Sequence, residues 1–297
     1  MHKAVIVGCG YVGSYVGRLW LKKGYCVCAV TSSPERVAPL EAQGFEVVVA
    51  DVLDPTSLER LPGGDVILYS VGPTGHRDVP RWRLYKEGLD NILTRFRHTT
   101  SQIGLVSSTG VYGNHPEGWI DEQTPRNPQR DSARALAAAE DLLLESSWGD
   151  RAYIFRLGGV YGPGRIPLVS QLVQGQPLPT SPDAMLNLIH VEDAATAIDL
   201  VISRGQPPCI VNVVDGFPVS RRDFYNELSR LLQVASPRFA ESLPAFETDQ
   251  VSSAARRHSP VTKRVSNQLL VKGFGMSLRY PDYRSGLAEI VRQGFSQ

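Results

Sequence analysis

Gly8, Gly10 and Gly13 stand directly after the apolar run Ala4-Val5-Ile6-Val7 and directly before a helical pattern running from Tyr11 to Lys23. At a pyrophosphate, each glycine of this spacing has its own task. Gly8 permits the tight turn out of the strand, Gly10 lets the backbone come close to phosphate oxygens, and Gly13 lets the helix lie close on the sheet. The helix opens with Tyr11 and Val12, whose amides and positive dipole end face the phosphates. A second set of donors follows at Thr31-Ser32-Ser33 and Arg36, where the next strand ends. An acid at that tip would bind both ribose hydroxyls and repel a 2′-phosphate. Here the tip holds hydroxyls and a guanidinium instead, which suits the 2′-phosphate of NADP, with NAD as the alternative. The competing reading of Ser33 and Arg36 is a helix cap followed by a solvated surface cation. Asp51-Val52 closes the third strand, where a carboxylate can accept from an adenine amino group, and Val71 ends the fourth. The expected cofactor residues are therefore Gly8, Gly10, Tyr11, Val12, Gly13, Ser32, Ser33, Arg36, Asp51, Val52 and Val71.

The elements that would hold these groups alternate along the chain. Strands are expected at Cys26 to Val30, Phe45 to Ala50, Asp65 to Val71, Gln102 to Ser107 and Ala152 to Leu157. Helices are expected over Pro34 to Gln43, Pro55 to Leu61, Asp78 to His98 and Asp131 to Ser147. Such β-α alternation requires right-handed crossovers and a parallel sheet. The fold class is thus α/β, a Rossmann-type doubly wound parallel sheet. Gly and Pro interrupt residues 158 to 183, so the chain leaves the sheet there. Residues 1–165 are expected to form the dinucleotide-binding domain and 166–297 a small, interleaved C-terminal substrate-binding region, with 186–215 returning to the first domain. Within it Leu186 to His190 and Cys209 to Val214 look extended, Glu192 to Ser203 and Arg221 to Leu232 helical, and 236 to 260 a polar connector.

The 297 residues carry 31 Lys and Arg against 30 Asp and Glu, a formal net charge of +1, which gives no pull toward nucleic acid or an anionic membrane. The cysteines Cys9, Cys26, Cys28 and Cys209 form no C-x-x-C pair and read as reduced thiols. With no apolar run of bilayer length and no leader pattern, the expectation is a cytoplasmic protein, monomer or homodimer, acting on a small-molecule substrate. Neither metal-ligand spacing nor a nucleophile elbow is present.

Taken together, the glycine motif, Ser107-Ser108-Thr109-Gly110-Val111-Tyr112-Gly113, the run from Arg156 to Gly164, Leu188-Ile189-His190-Val191-Glu192-Asp193 and Val211-Asn212-Val213-Val214-Asp215 resemble the extended short-chain dehydrogenase/reductase superfamily over nearly the whole chain. That group includes nucleotide-sugar epimerases and dehydratases. The resemblance implies redox chemistry by a Tyr and a Lys four residues on, in which the Lys lowers the Tyr pKa for proton transfer. This chain departs from that pattern. If Glu140 occupies the family's Glu position, the Tyr position holds Ser132 and the Lys position Leu136. No Tyr lies between Tyr112 and Tyr153, and no Lys between Lys86 and Lys263. The chain looks like an atypical branch that lacks the Tyr-x-x-x-Lys dyad.

What remains for chemistry is Ser108, at the family's substrate-orienting position, and Arg134, one turn inside the helix near where the Lys would stand. Both are carried as candidate catalytic residues. Ser108 can donate to a substrate oxygen or serve only the local backbone, and Arg134 can neutralise an anion but cannot shuttle protons. Tyr112 reads as a packing residue, and His190 with Asp193 as a structural link between sheet and cap. Arg83, Tyr85 and Lys86 form a polar helix face that either reaches the pocket or faces solvent. Two functions follow: an NADP-dependent oxidoreductase or epimerase-like enzyme with a non-standard site, or a catalytically silent NADPH-binding sensor.

Overall fold

Strands that are apolar on both faces must be covered on both faces, and β1 (Lys3–Val7) shows this at once, four of its five residues being buried. The computed structural model describes residues 2–72, 79–99, 101–115, 118–240 and 263–294. In it β1 lies inside a seven-stranded sheet with β2 (Cys26–Thr31), β3 (Glu46–Val49), β4 (Val66–Tyr69), β5 (Gln102–Ser108), β7 (Ala152–Leu157) and β11 (Cys209–Val213). The order is β11-β7-β5-β4-β1-β2-β3, and every pairing is parallel. Ile6 of β1 faces Ala29 on one side and Leu68 on the other. Strand order therefore reverses between β1 and β4, which opens a crevice at their C-terminal ends.

On one face α1 (Tyr11–Lys22) packs against α7 (Val191–Arg204), with Val16, Trp20, Ala194, Ile198 and Val201 among the enclosed residues. Trp20 donates its indole N–H to Asp199 at 3.1 Å, so this large ring is buried with its polar atom satisfied. On the other face α4 (Gly88–Arg95) and α5 (Asp131–Glu145) cover the sheet with Leu89, Ile92 and Leu143, joined by Trp148 just beyond α5. Each such aliphatic side chain contributes about 1.5–3 kcal/mol when fully buried. The shorter α2 (Val37–Glu41) and α3 (Pro55–Leu58) connect the strands on the β3 side. The C-terminal region has a core of its own, in which α6 (Val169–Val173), α8 (Arg221–Leu232) and α9 (Tyr283–Arg292) enclose Leu172, Phe224, Leu228 and Leu287.

Three small strand pairs tie the parts together. β6 (Trp119–Ile120) pairs with β13 (Arg264–Val265), β8 (Gly159–Tyr161) with β10 (Leu188–His190), and β9 (Met185–Leu186) with β12 (Val219–Ser220). These strands of two or three residues are too short to show periodicity, which is why the chain order alone does not reveal them.

Other elements differ from expectation. The segment from Pro34 opens as a 3₁₀ turn over Pro34–Arg36, and Ser33 makes no side-chain cap. The Ser33 amide instead donates to Thr31 Oγ1 at 3.2 Å. The helix expected over residues 78–98 contains a π-turn over Arg83–Glu87 before α4, and its expected first residue lies outside the described residues. Most of the connector expected over 236–260 also lies outside them. Among the described residues no helix is long and apolar enough to cross a membrane.

Candidate functional site

The crevice at the strand ends holds a cavity of about 620 Å³. Its wall gathers residues from five loops: Gly8 to Val12, Val30 to Ser33 with Arg36, Ala50 to Val52, Ser70 to Gly72, and Val106 to Ser108. Val79, Leu84, Tyr85, Leu136, Leu157 to Val160 and Arg165 complete it. Of the expected cofactor residues all but Gly13 line this space, and Ser108 lines it too.

The three glycines differ in what surrounds them. Gly8 has φ of +78°, and a Cβ there would lie 2.7 Å from the Val71 Cα. It is glycine because the loop crosses the end of β4 at backbone contact and in a left-handed conformation. Gly13 is enclosed in packing: a Cβ would lie 2.9 Å from Ile6 Cγ2. Gly10 is the opposite case, since a Cβ there would meet only the Gly8 oxygen, at 3.8 Å. Its missing side chain leaves space in the cavity rather than relieving a clash inside the protein. Gly10 precedes α1 with no side-chain cap, so the first amides of that twelve-residue helix point to the cavity unsatisfied by any side chain. A bare backbone cradle at a helix N-terminus fits the pyrophosphate of a dinucleotide.

At the β2 end, Ser32 is exposed and Ser33 and Arg36 are half-buried, all three on the cavity. Arg36 makes no ion pair with a described residue, so its charge is available to a ligand. Thr31 is buried and its hydroxyl accepts from the Ser33 amide, which uses a lone pair and not its proton. Asp51 accepts from the Leu53 amide at 3.0 Å through Oδ1 and still faces the cavity. Cys9 lies in the loop, but burial pushes its thiol up to about 11, against weaker pulls from Arg36 and Arg18. It therefore stays protonated and unreactive at neutral pH.

At the other end Ser108 Oγ accepts from the Gly110 amide at 3.1 Å. That bond uses a lone pair and leaves the hydroxyl proton free to donate into the cavity. Leu136 reaches the same wall from α5, whereas Ser132 does not line it. Arg134 is not brought to the site. It is held at the exposed start of α5 by an ion pair with Asp131 and a 2.8 Å bond to the Gln129 carbonyl. Of Arg83, Tyr85 and Lys86, Tyr85 alone lines the cavity, while Arg83 pairs with Glu87. Burial raises the Tyr85 pKa, so the phenol keeps its proton.

Behind Ser108 lies a buried polar network. Ser107 donates to Glu140 Oε1 at 2.6 Å, and Arg156 contacts Glu140 through Nη2 at 2.7 Å and Nε at 3.1 Å. Arg126 adds a 3.2 Å contact from its surface side. Arg156 also donates to Tyr112 Oη at 2.8 Å, which in turn donates to Asn212 Oδ1 at 2.8 Å. Tyr112 is fully buried and away from the cavity, a packing residue with its hydroxyl satisfied. His190 accepts the Glu192 amide at the start of α7, and Asp193 accepts from the Arg279 and Tyr280 amides. Asp193 thereby joins the C-terminal segment to the sheet domain, and His190 does so through its ring, 3.9 Å from that of Tyr280.

Sequence reasoning missed Arg165. It follows the run from Arg156 to Gly164 directly, lines the cavity, and stacks its guanidinium 5.2 Å from the centre of the Tyr11 ring. Tyr11 in turn donates to the Pro163 carbonyl at 3.0 Å. These contacts bring a cation from the loop after β8 to the glycine loop. Nothing in the local sequence marks it except a lone basic residue after a Gly-Pro-Gly turn.

Comparison with known proteins agrees with this geometry. The model of the NAD dependent epimerase/dehydratase family matches residues 4–213. Protein YeeZ of Escherichia coli (strain K12) is 28% identical over 290 residues, spanning 95% of this chain and 97% of its own length. A conserved protein of Silicibacter pomeroyi DSS, described as functionally unknown, superposes with a TM-score of 0.78 at 27% identity, covering 100% of both chains. UDP-glucose 4-epimerase of Thermus thermophilus, solved in complex with NAD, shares the fold with a TM-score of 0.78 at 21% identity, over 99% of this chain and 100% of its own.

Proposed function

Because the chain belongs to the NAD dependent epimerase/dehydratase family, we propose that it binds NADP(H) in the 620 Å³ cavity and acts on a small molecule as an oxidoreductase or epimerase-like enzyme. The observation that carries this reading is one continuous wall, with an uncapped helix N-terminus and Arg36 at one end and the Ser108 hydroxyl at the other. The cofactor, when bound, supplies or accepts a hydride. Gly8 to Val12 would hold the pyrophosphate, with Arg165 neutralising its charge from across the cavity. Ser32, Ser33 and Arg36 would receive the 2′-phosphate, and Asp51 the adenine amino group. Ser108 would donate to the substrate oxygen and steady negative charge as it forms there. A serine hydroxyl is too weakly acidic to supply that proton alone, so turnover is slow or restricted to a narrow set of substrates.

Leu136 on the cavity wall favours a second reading, a silent NADPH-binding sensor, since a leucine there can neither hold a ribose hydroxyl nor assist proton transfer. Two measurements separate these. Calorimetry should show NADPH binding roughly ten- to hundredfold tighter than NADH, the equivalent of a charge-assisted contact of about 1.5–3 kcal/mol. Arg36→Ala should erase that preference, and equal affinities in the unmodified protein remove the NADP assignment. Oxidation or reduction of bound cofactor by any member of a carbonyl, alcohol and nucleotide-sugar panel supports the enzyme. Tight binding with no turnover across the panel supports the sensor.

A further inference from the structure

A buried lysine stands beside the loop that Ser108 opens, brought there from the far end of the chain. Lys263 is only 7% exposed, and its ammonium donates to the Thr109 carbonyl, next in sequence to Ser108. Its backbone is held on both sides by one buried side chain. Asn187 donates from Nδ2 to the Lys263 carbonyl at 3.1 Å and accepts the Val265 amide at 2.8 Å. Pairing of β13 with β6 fixes the next two residues. The amine is therefore positioned by the fold and is not a mobile surface group.

Its electrostatic surroundings are one-sided. No carboxylate among the described residues pairs with it, and the charged group that acts on it is Arg130, the residue before α5. Asp131, the next residue, is exposed and turned to Arg134. Thr109 accepts one of the three ammonium protons and two remain. Burying a cation without an anionic partner is unfavourable. Burial, with Arg130 adding to it, pushes the Lys263 amine down to about 8. A bound anion would satisfy the free protons and both charges together.

We propose that Lys263 and Arg130 form an anion subsite beside the Ser108 loop, so that the substrate carries a carboxylate or a phosphate group. Assigning the anion to the substrate rests on the reading that Ser108 faces the reacting oxygen. The subsite itself rests on the buried Lys263 ammonium, held at the Thr109 carbonyl with two protons to spare.

The test uses the full chain, with and without saturating NADPH, titrated in a calorimeter with malonate and with inorganic phosphate. At least one should bind, malonate marking a carboxylate ligand and phosphate a phosphorylated one. Lys263→Met should weaken that binding tenfold or more, Arg130→Ala a few-fold, and Lys263→Arg should restore most of it. NADPH affinity should stay unchanged in all three variants. If malonate is the anion that binds, it should draw about half a proton into the complex at pH 8, because the anion re-protonates an amine that is about half neutral there. Absence of binding by both anions, or binding that survives Lys263→Met, overturns the proposal. Should Lys263→Met fail to fold, an Arg130→Ala variant with undiminished affinity overturns it equally. Failure of NADPH to bind the unmodified protein instead overturns the cofactor assignment, while the anion titrations still decide the subsite.

Discussion

Glu140→Ala should be among the most destabilising single changes in this chain. The Glu140 side chain is fully buried and the Arg156 side chain nearly so, at 4% exposure. Removing the carboxylate takes the acceptor from Ser107, from two nitrogens of Arg156 and from one of Arg126. Arg156 would keep Tyr112 Oη as its hydrogen-bond partner among the described residues, and its charge would stay buried without compensation. Stranding one member of a buried pair costs about 3–5 kcal/mol. At roughly 2–4 °C per kcal/mol for a chain of this class, the melting temperature should fall by about 6–20 °C. Differential scanning calorimetry on Glu140→Ala, Arg156→Met and the Glu140→Ala/Arg156→Met pair completes a cycle. The double variant removes both charges and should lose clearly less than the sum of the single changes, by about 2 kcal/mol or more. A fall under 2 °C in Glu140→Ala, or strictly additive losses, would refute the view that this pair is coupled.

Three further outcomes follow from the same structure. Gly10→Val should abolish cofactor binding with the fold intact by circular dichroism, because an added Cβ meets only the Gly8 oxygen, at 3.8 Å, and the side chain projects into the cavity; wild-type affinity in that variant would move the phosphates off this loop. Ser108→Ala should lower kcat by about 10²-fold with cofactor affinity nearly unchanged, the loss of one oxyanion donor, and undiminished turnover would relocate the chemistry. Asp215, whose Oδ2 is buried without a partner, has its carboxyl pushed up to about 8 by burial. Its folded-state pKa lies above the unfolded value near 4, so stability contributed by the protonated form is present below that value and lost as pH rises toward 8. Asp215→Asn keeps the acceptor for the Phe217 amide and should gain over the unmodified protein as pH rises from 4 to 8; parallel melting curves across that range would contradict the assignment.

The glycine spacing, the alternation of apolar strands with amphipathic helices, and a β2 tip without an acid were legible from the chain alone. Each is a demand made within some ten or twenty residues: a positive φ at Gly8, a helix that must lie close at Gly13, an apolar run covered on both faces at β1. Such demands select residue types locally, so they survive reading without a structure. The placement of Ser108 on the same wall as Gly10 followed from the parallel order, since C-terminal strand ends meet at the switch point. Arg134 shows where this reasoning stops. Its sequence position was near the site, yet the helix turns its side chain outward to Asp131 and the Gln129 carbonyl. Arg165 and Lys263 show the converse. Lys263 meets Thr109 across 154 positions of chain, guided by Asn187 and a two-residue strand pair that have no periodic signal. Where a buried charge ends up depends on the direction of one side chain and on which loops the sheet brings together. That is decided by packing over the whole molecule, and no local run of residues encodes it.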